Sequence, residues 1–255
     1  MLKLIVCIIA GFGAGLGTGL AGLSAAAVIS PMLIMFLNVP AYEAIGIALA
    51  SDVLASAVSA YEYGKKKNID IKNGLIMLVT IMLFTLAGSF LSSNVENGTM
   101  GTFSVFMTML MGIKFIIKPV MVTKEVMKEK DPKTRLIQSV LCGMVIGIIC
   151  GFVGAGGGMM MLMILTGVLG YELKTAIGTS VFNMTFTALV GAVSHFAIGG
   201  KPDFFLLAAC IISTLIFARL AAKFANIASA KTLNRALGIV LTALGAAMVG
   251  MKIFA

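Results

Sequence analysis

Between Leu2 and Leu37 the chain carries one charged side chain, Lys3. A stretch this apolar has no place on the surface of a water-soluble domain. It also exceeds the roughly 20 residues that a helix needs to cross a bilayer core. The pattern continues through the chain. Apolar runs bounded by Gly, Pro, Asn or charge fall at 2–20, 22–37, 41–63, 72–92, 99–117, 136–153, 155–170, 173–198, 204–222 and 232–254. Charged residues make up 11% of the 255 residues and hydrophobic ones 60%, whereas soluble domains carry roughly 25% charge. These proportions exclude a soluble enzyme, a disordered chain and a secreted disulfide scaffold. They leave an all-α integral membrane protein with little chain outside the bilayer.

The N-terminus resembles a signal peptide superficially, with Lys3 ahead of an apolar run. The run continues without a break, so it reads as part of the mature protein. The net charge is +9, from 19 Lys and Arg against 10 Asp and Glu. In this setting the excess is the cytoplasmic positive charge that orients membrane helices. No basic patch interleaved with aromatics suggests nucleic acid. Cys7, Cys142, Cys150 and Cys210 lie in apolar runs without a CxxC spacing, which reads as inert buried thiols. Met159, Met160 and Met161 have no His or Cys nearby, so neither a metal nor a cofactor is expected.

The longest polar stretch, 118–135, is basic and divides the chain into 1–117 and 136–255. The two parts resemble each other. At an offset of 132, Gly19 matches Gly151, Gly22 matches Gly154, and Ala44-Ile45-Gly46 matches Ala176-Ile177-Gly178; Leu33 and Leu37 match Leu165 and Leu169. The ordered glycines mark a duplication, a common construction in transporters. Each half is expected to open with a Gly-broken pair of short helices, followed by three spanning helices. If each pair returns to its own side, or crosses twice, fifteen of the Lys and Arg fall on one face and Lys3, Lys201 and Lys252 on the other. That distribution obeys the positive-inside rule. It places both termini outside and the 118–135 linker in the cytoplasm, and gives each repeat an odd number of crossings, so the repeats are inverted.

Broken helices near the midplane are where such carriers hold substrate. Helix N-termini offer free N–H groups and about half a positive charge, which suits an anion. The candidate substrate residues are Gly22, Ser24 and Ala25 in the first half and Gly154, Gly156, Gly157 and Gly158 in the second. Thr179, Ser180 and Asn183 lie on the following helix. Close packing through small residues is the competing reading of the glycines. Asp52 is the one carboxylate in the middle of an apolar segment, on a face with Ser56, Ser59 and Tyr63. An acid at such a depth is functional by default. Asp52, Ser56, Thr187 and His195 are therefore the candidates for proton coupling or a polar cavity wall, although a lone His near a helix end is more often an interfacial residue. Arg219 and Lys114 read as snorkelling side chains.

These motifs resemble the sulfite exporter TauE/SafE family, whose two repeats each bear a G-x-G-G-G-x-x-x-x-P type motif ahead of a helix with a Gly-Thr-Ser run. The second half carries Gly154-Ala155-Gly156-Gly157-Gly158, then Gly178-Thr179-Ser180, with Met163 in place of the Pro. The first half keeps Pro31 but reads Gly22-Leu23-Ser24-Ala25-Ala26. The resemblance covers essentially the whole chain. It implies export or uptake of small anions of the sulfite or organosulfonate class, with Asp52 the candidate for coupling that movement to protons. A homodimer is one assembly open to such a chain.

Two other functions compete with a secondary transporter. A passive anion channel would share the site but show flux insensitive to saturation. An intramembrane serine protease would use Ser24 with His195 as base. The Gly expected after the nucleophile is absent, and proteolysis has no use for a second Gly-rich copy.

Overall fold

The structure, a computed structural model, describes residues 1–92, 113, 116–117, 131–153, 157–198 and 202–254. Its helices are α1 (Leu2–Ala21), α2 (Ala26–Leu37), α3 (Ala41–Lys65), α4 (Ile71–Ser92), α5 (Pro132–Val153), α6 (Gly157–Gly167), α7 (Leu173–Ile198), α8 (Phe204–Ile227) and α9 (Ala230–Phe254). Among the described residues there is no strand. Among the described residues, four helical stretches are long and apolar enough to cross a membrane: Leu2–Ala21, Glu43–Lys65, Leu173–Val193 and Phe204–Ile227. Most of the expected segment 99–117 and most of the 118–135 linker lie outside the described residues. Helix α5 begins at Pro132, four residues ahead of the expected 136.

Polar contacts define two ends of the bundle. At one, Lys3 pairs with Asp203 at 3.0 Å, and the Asp203 backbone N–H donates to Glu43 Oε1 at 2.7 Å. The starts of α1, α3 and α8 therefore share this end. At the other, Arg219 Nε donates to Glu62 Oε1 at 3.3 Å, and Lys174 Nζ donates to the Asn226 carbonyl at 2.8 Å. Asn68 Nδ2 reaches Asn226 Oδ1 at 2.8 Å. Arg219, expected to snorkel, keeps half of its side chain exposed while it pairs with this buried carboxylate. From Glu43 to Glu62 helix α3 rises about 28 Å at 1.5 Å per residue, close to the thickness of a hydrocarbon core.

Small residues set the closest crossings. On α1, Gly11, Gly15 and Gly19 recur every fourth residue and face Ser213, Phe217 and Ala221 of α8. A Cβ on Gly15 would lie 2.7 Å from Phe217 Cβ and 2.8 Å from the Thr214 carbonyl oxygen. On α5, Gly147 repeats this arrangement, 2.8 Å from Phe84 Cβ and 2.7 Å from the Ile81 carbonyl oxygen of α4. With no Cβ in the way the backbones approach closely, and dispersion rather than water release holds them. Residue numbers rise together in both pairs, so α1 and α8 run parallel, as do α4 and α5. Tyr63 meets Gly178 while Leu49 meets Gly191, so α3 and α7 run antiparallel.

The opposite face of the α1–α8 pair is apolar and exposed. Ile5, Ile9 and Phe12 on α1 and Ile212, Ile216, Leu220 and Phe224 on α8 point outward, as a lipid-facing surface requires. Turns are repeated as well. Asn38 (φ 51°) ends α2, and Gly170 (φ 69°), 132 residues later, follows α6. Val39 N–H then donates to the Leu33 carbonyl at 3.3 Å, and Tyr171 N–H to the Leu165 carbonyl at 2.9 Å. Asp70 and Asp203 accept backbone N–H groups at the starts of α4 and α8.

Candidate functional site

The first helix break is closed by its own backbone. Gly22 sits in the left-handed region (φ 63°, ψ 32°), where glycine pays no Cβ penalty. Its N–H donates to the Thr18 carbonyl at 2.9 Å, and Leu23 N–H to the Gly17 carbonyl at 3.1 Å. This pair of bonds is a helix C-terminal cap. The sequence pattern placed Gly22 at the opening of α2. It instead ends α1, and its N–H is not available to a ligand. Helix α2 starts at Ala26, after Ser24 and Ala25, and the Ser24 hydroxyl oxygen accepts from Ala26 N–H at 3.3 Å.

Asp52 lies midway along α3 with no exposed surface. Ser24 donates to its Oδ2 at 2.6 Å, Ser56 to its Oδ1 at 2.8 Å, and the Ala25 N–H adds a backbone donor. Among the described side chains, no Lys or Arg pairs with it. The carboxylate is therefore held by hydroxyls and by the N-terminus of α2. One turn further on, the fully buried Ser59 hydroxyl has no partner, and Tyr63 donates to the Gly19 carbonyl at 2.9 Å.

The second half reaches the same point from the opposite end. The described part of helix α6 begins at Gly157, and a Cβ on Gly158 would lie 2.6 Å from the Gly22 carbonyl oxygen and 2.9 Å from Ser24 N. The start of α6 thus touches the break between α1 and α2. Ser180 donates to the Gly22 carbonyl at 3.1 Å, tying α7 to that break. Asn183 is fully buried; its Nδ2 makes one long contact of 3.9 Å to Met161 Sδ of α6, and its Oδ1 has no partner.

The other expected residues are placed differently. Thr179 is buried but accepts from the Asp70 N–H at 3.1 Å, so it anchors the start of α4. Thr187 donates back to the Asn183 and Met184 carbonyls at 3.3 and 3.2 Å within α7. His195 belongs to α7, but its side chain is outside the description. Gly154 and Gly156 lie outside the described residues. Sequence reasoning missed Met184, whose Sδ would lie 2.6 Å from a Cβ on Gly158. The signal was present, since Met184 stands 132 residues after Asp52, the repeat offset.

Ser24, Ala25, Asp52, Ser56, Gly158 and Ser180 gather where α6 approaches the break between α1 and α2, whereas Asn183 lies to one side, with its Oδ1 3.6 Å from where a Cβ on Gly74 of α4 would stand. Broken backbone at this depth is tolerable only when enclosed by protein or lining a cavity. Fold and site define a polytopic helical membrane protein. The family model described as "Sulfite exporter TauE/SafE" matches residues 7–248, and the chain belongs to that family. The "Probable membrane transporter protein YunE" of Bacillus subtilis is 24% identical, covering 99% of this chain and 100% of its own length. The "Probable membrane transporter protein MJ0441" of Methanocaldococcus jannaschii is 27% identical over 76% of this chain and 73% of its own. The "Probable membrane transporter protein YdhB" of Bacillus subtilis is 22% identical over 84% and 86%.

Proposed function

We propose that the protein is a secondary active exporter of a small anion of the sulfite or organosulfonate class, working by alternating access at the junction of two inverted halves. The observation that carries this reading is the close approach of Gly158 to the Gly22 carbonyl and Ser24 N. Two helix starts, one from each half, approach each other there with their positive dipole ends. The inverted relation is supported by direction. Helices α3 and α7, equivalent at the offset of 132, run antiparallel, and each opening helix packs in parallel on the fourth helix of the other half. Membership of the TauE/SafE family supports the anion class.

In this reading Ser24, Ala25, Gly158, Ser180 and Asn183 surround the substrate. Asp52 with Ser56 forms the polar wall through which a proton couples, and Thr187 and His195 lie further along α7. The end bearing Glu62, Arg219 and Lys174 faces the cytoplasm, with both termini outside. The test is uptake of sulfite and sulfoacetate into proteoliposomes, with and without a pH gradient. Saturable, gradient-dependent uptake supports the carrier. Flux that never saturates makes the protein a channel, and no flux of either anion removes the substrate class.

A further inference from the structure

Cys7 on α1 and Cys210 on α8 are fully buried, and nothing in their sequence spacing signals that they meet. The packing of the two helices brings them together. A Cβ on Gly11 would lie 2.9 Å from Thr214 N, and one on Gly15 would lie 2.7 Å from Ala218 N. The helices run parallel, so one turn before Gly11 and Thr214 the facing residues are Cys7 and Cys210. The Ser213 hydroxyl fixes the same register. Its Oγ lies 3.1 Å from the Cys7 carbonyl oxygen and 3.2 Å from the Cys210 carbonyl oxygen. The two thiols are in hydrogen-bonding contact with each other. A disulfide needs Cα atoms within about 7 Å and side chains that point at each other. Backbones that share one hydroxyl and thiols that touch meet that need.

We propose that Cys7 and Cys210 form a redox site, at which a peroxide makes a disulfide that staples α1 of the first half to α8 of the second. One thiol, as thiolate, attacks a peroxide oxygen; the O–O bond breaks, a sulfenic acid forms and hydroxide leaves. The second thiolate attacks that sulfur and displaces a second hydroxide. The two thiol protons neutralise the two hydroxides. The pair thus gives up two electrons, and one hydrogen peroxide becomes two waters. Cys7 stands about 6 Å along α1 from Lys3, close to the end where Lys3 pairs with Asp203. In the orientation proposed above that end faces away from the cytoplasm, on the side where disulfides persist. The bond would close a loop over most of the chain, and long closures restrict the unfolded state most.

The test titrates the full chain in detergent with hydrogen peroxide, after reduction and removal of the reductant. Wild type, Cys7→Ala and Cys210→Ala are compared, and monodisperse elution qualifies each. Thiols are then counted with a maleimide after denaturation. Wild type is expected to lose two of its four thiols, to regain both with dithiothreitol, and to yield a cross-linked peptide pair joining Cys7 to Cys210. Neither variant should lose a pair. Oxidised wild type should melt at a higher temperature than the reduced protein. Four thiols left in peroxide-treated wild type, a loss that dithiothreitol does not reverse, or the same reversible loss in either variant overturns the disulfide. A bond that forms without raising the melting temperature overturns the staple. Neither readout involves an anion or a membrane, so failure here leaves the carrier reading standing, and failure of uptake leaves the thiol pair standing.

Discussion

The Ser24 hydroxyl lies 2.6 Å from Asp52 Oδ2, joining the break after α1 to the middle of α3 across 28 residues of sequence. The same oxygen atom of Ser24 accepts from Ala26 N–H, so one hydroxyl serves both the start of α2 and the buried carboxylate. Ser24→Ala leaves both short of a partner. A buried polar group stripped of one hydrogen bond costs about 1–3 kcal/mol. The variant is expected to melt earlier in detergent and to lose uptake. Wild-type melting and uptake in Ser24→Ala would show that the hydroxyl bond holds nothing in place.

The paired crossings give a prediction with its own control. Gly15 and Gly147 each face a Phe Cβ and a backbone carbonyl at less than 3 Å from where a Cβ would stand. Backbone cannot move aside as the end of a flexible side chain can. Gly15→Ala and Gly147→Ala are therefore expected to destabilise by about 1–3 kcal/mol each, the usual cost of overpacking. Nothing lies within 4 Å of a Cβ on Gly167, so Gly167→Ala should melt like wild type. Equal stability of all three variants would remove the crossings from the account of the fold.

Much of this architecture is legible in the sequence because glycine spacing in a membrane helix has few uses. The series Gly11, Gly15, Gly19 and its partner Gly143, Gly147 mark the packed faces, and the offset of 132 relates them. The intramembrane acid Asp52 announces itself by its cost. Other features depended on three-dimensional placement. Gly22 reads equally well as the end of one helix or the beginning of the next, and only its φ of 63° decides. Thr179 sits in the Gly-Thr-Ser run of the family motif, yet its hydroxyl serves the Asp70 N–H. Met184 looks like one more apolar residue until its position against Gly158 is known.

A pH effect is expected at the end of the bundle where α8 begins. The hydrogen bond from Lys3 holds the Asp203 carboxyl below its ordinary value; desolvation opposes it, and the Leu206 and Phe205 N–H groups add to the lowering. A carboxyl lowered on folding stabilises fully above its unfolded value, roughly 3.9. That contribution fades as the pH falls through this value toward the lower folded one. Lys3 is largely exposed, with 58% of its side-chain surface open, so the contribution is small. Melting of wild type should therefore fall more steeply than that of Asp203→Asn on acidification below about pH 4. Parallel curves would mean that the pair contributes nothing.

The grouping of charge predicts an orientation. Lys65, Lys174 and Arg219 share the end that holds Glu62 and Asn226, whereas Lys3 and Asp203 lie at the opposite one. In a background with the four native cysteines replaced by Ala, Lys67→Cys should react with a membrane-impermeant maleimide only after the cells are opened. Asp203→Cys should react in intact cells. The reverse pattern would invert the protein and contradict the positive-inside assignment.

Gly158→Ala probes the junction of the two halves most directly. One added methyl would lie 2.6 Å from the Gly22 carbonyl oxygen, 2.9 Å from Ser24 N and 2.6 Å from Met184 Sδ. Met184 can turn away at low cost because a thioether is flexible. The two backbone atoms cannot, since Gly22 is fixed by its bond to Thr18 and by the Ser180 hydroxyl. Relief must therefore come from separating α6 from the α1–α2 break, the movement that would widen the space between the helix starts. Uptake is expected to be abolished, because two helix ends pulled even about 1 Å apart no longer direct their dipoles at one ligand. Adding Met184→Ala relieves only the sulfur contact and should not restore uptake. Recovery in the double variant would show that the side chain of Met184, rather than the approach of the two backbones, is what a Cβ at this position disturbs.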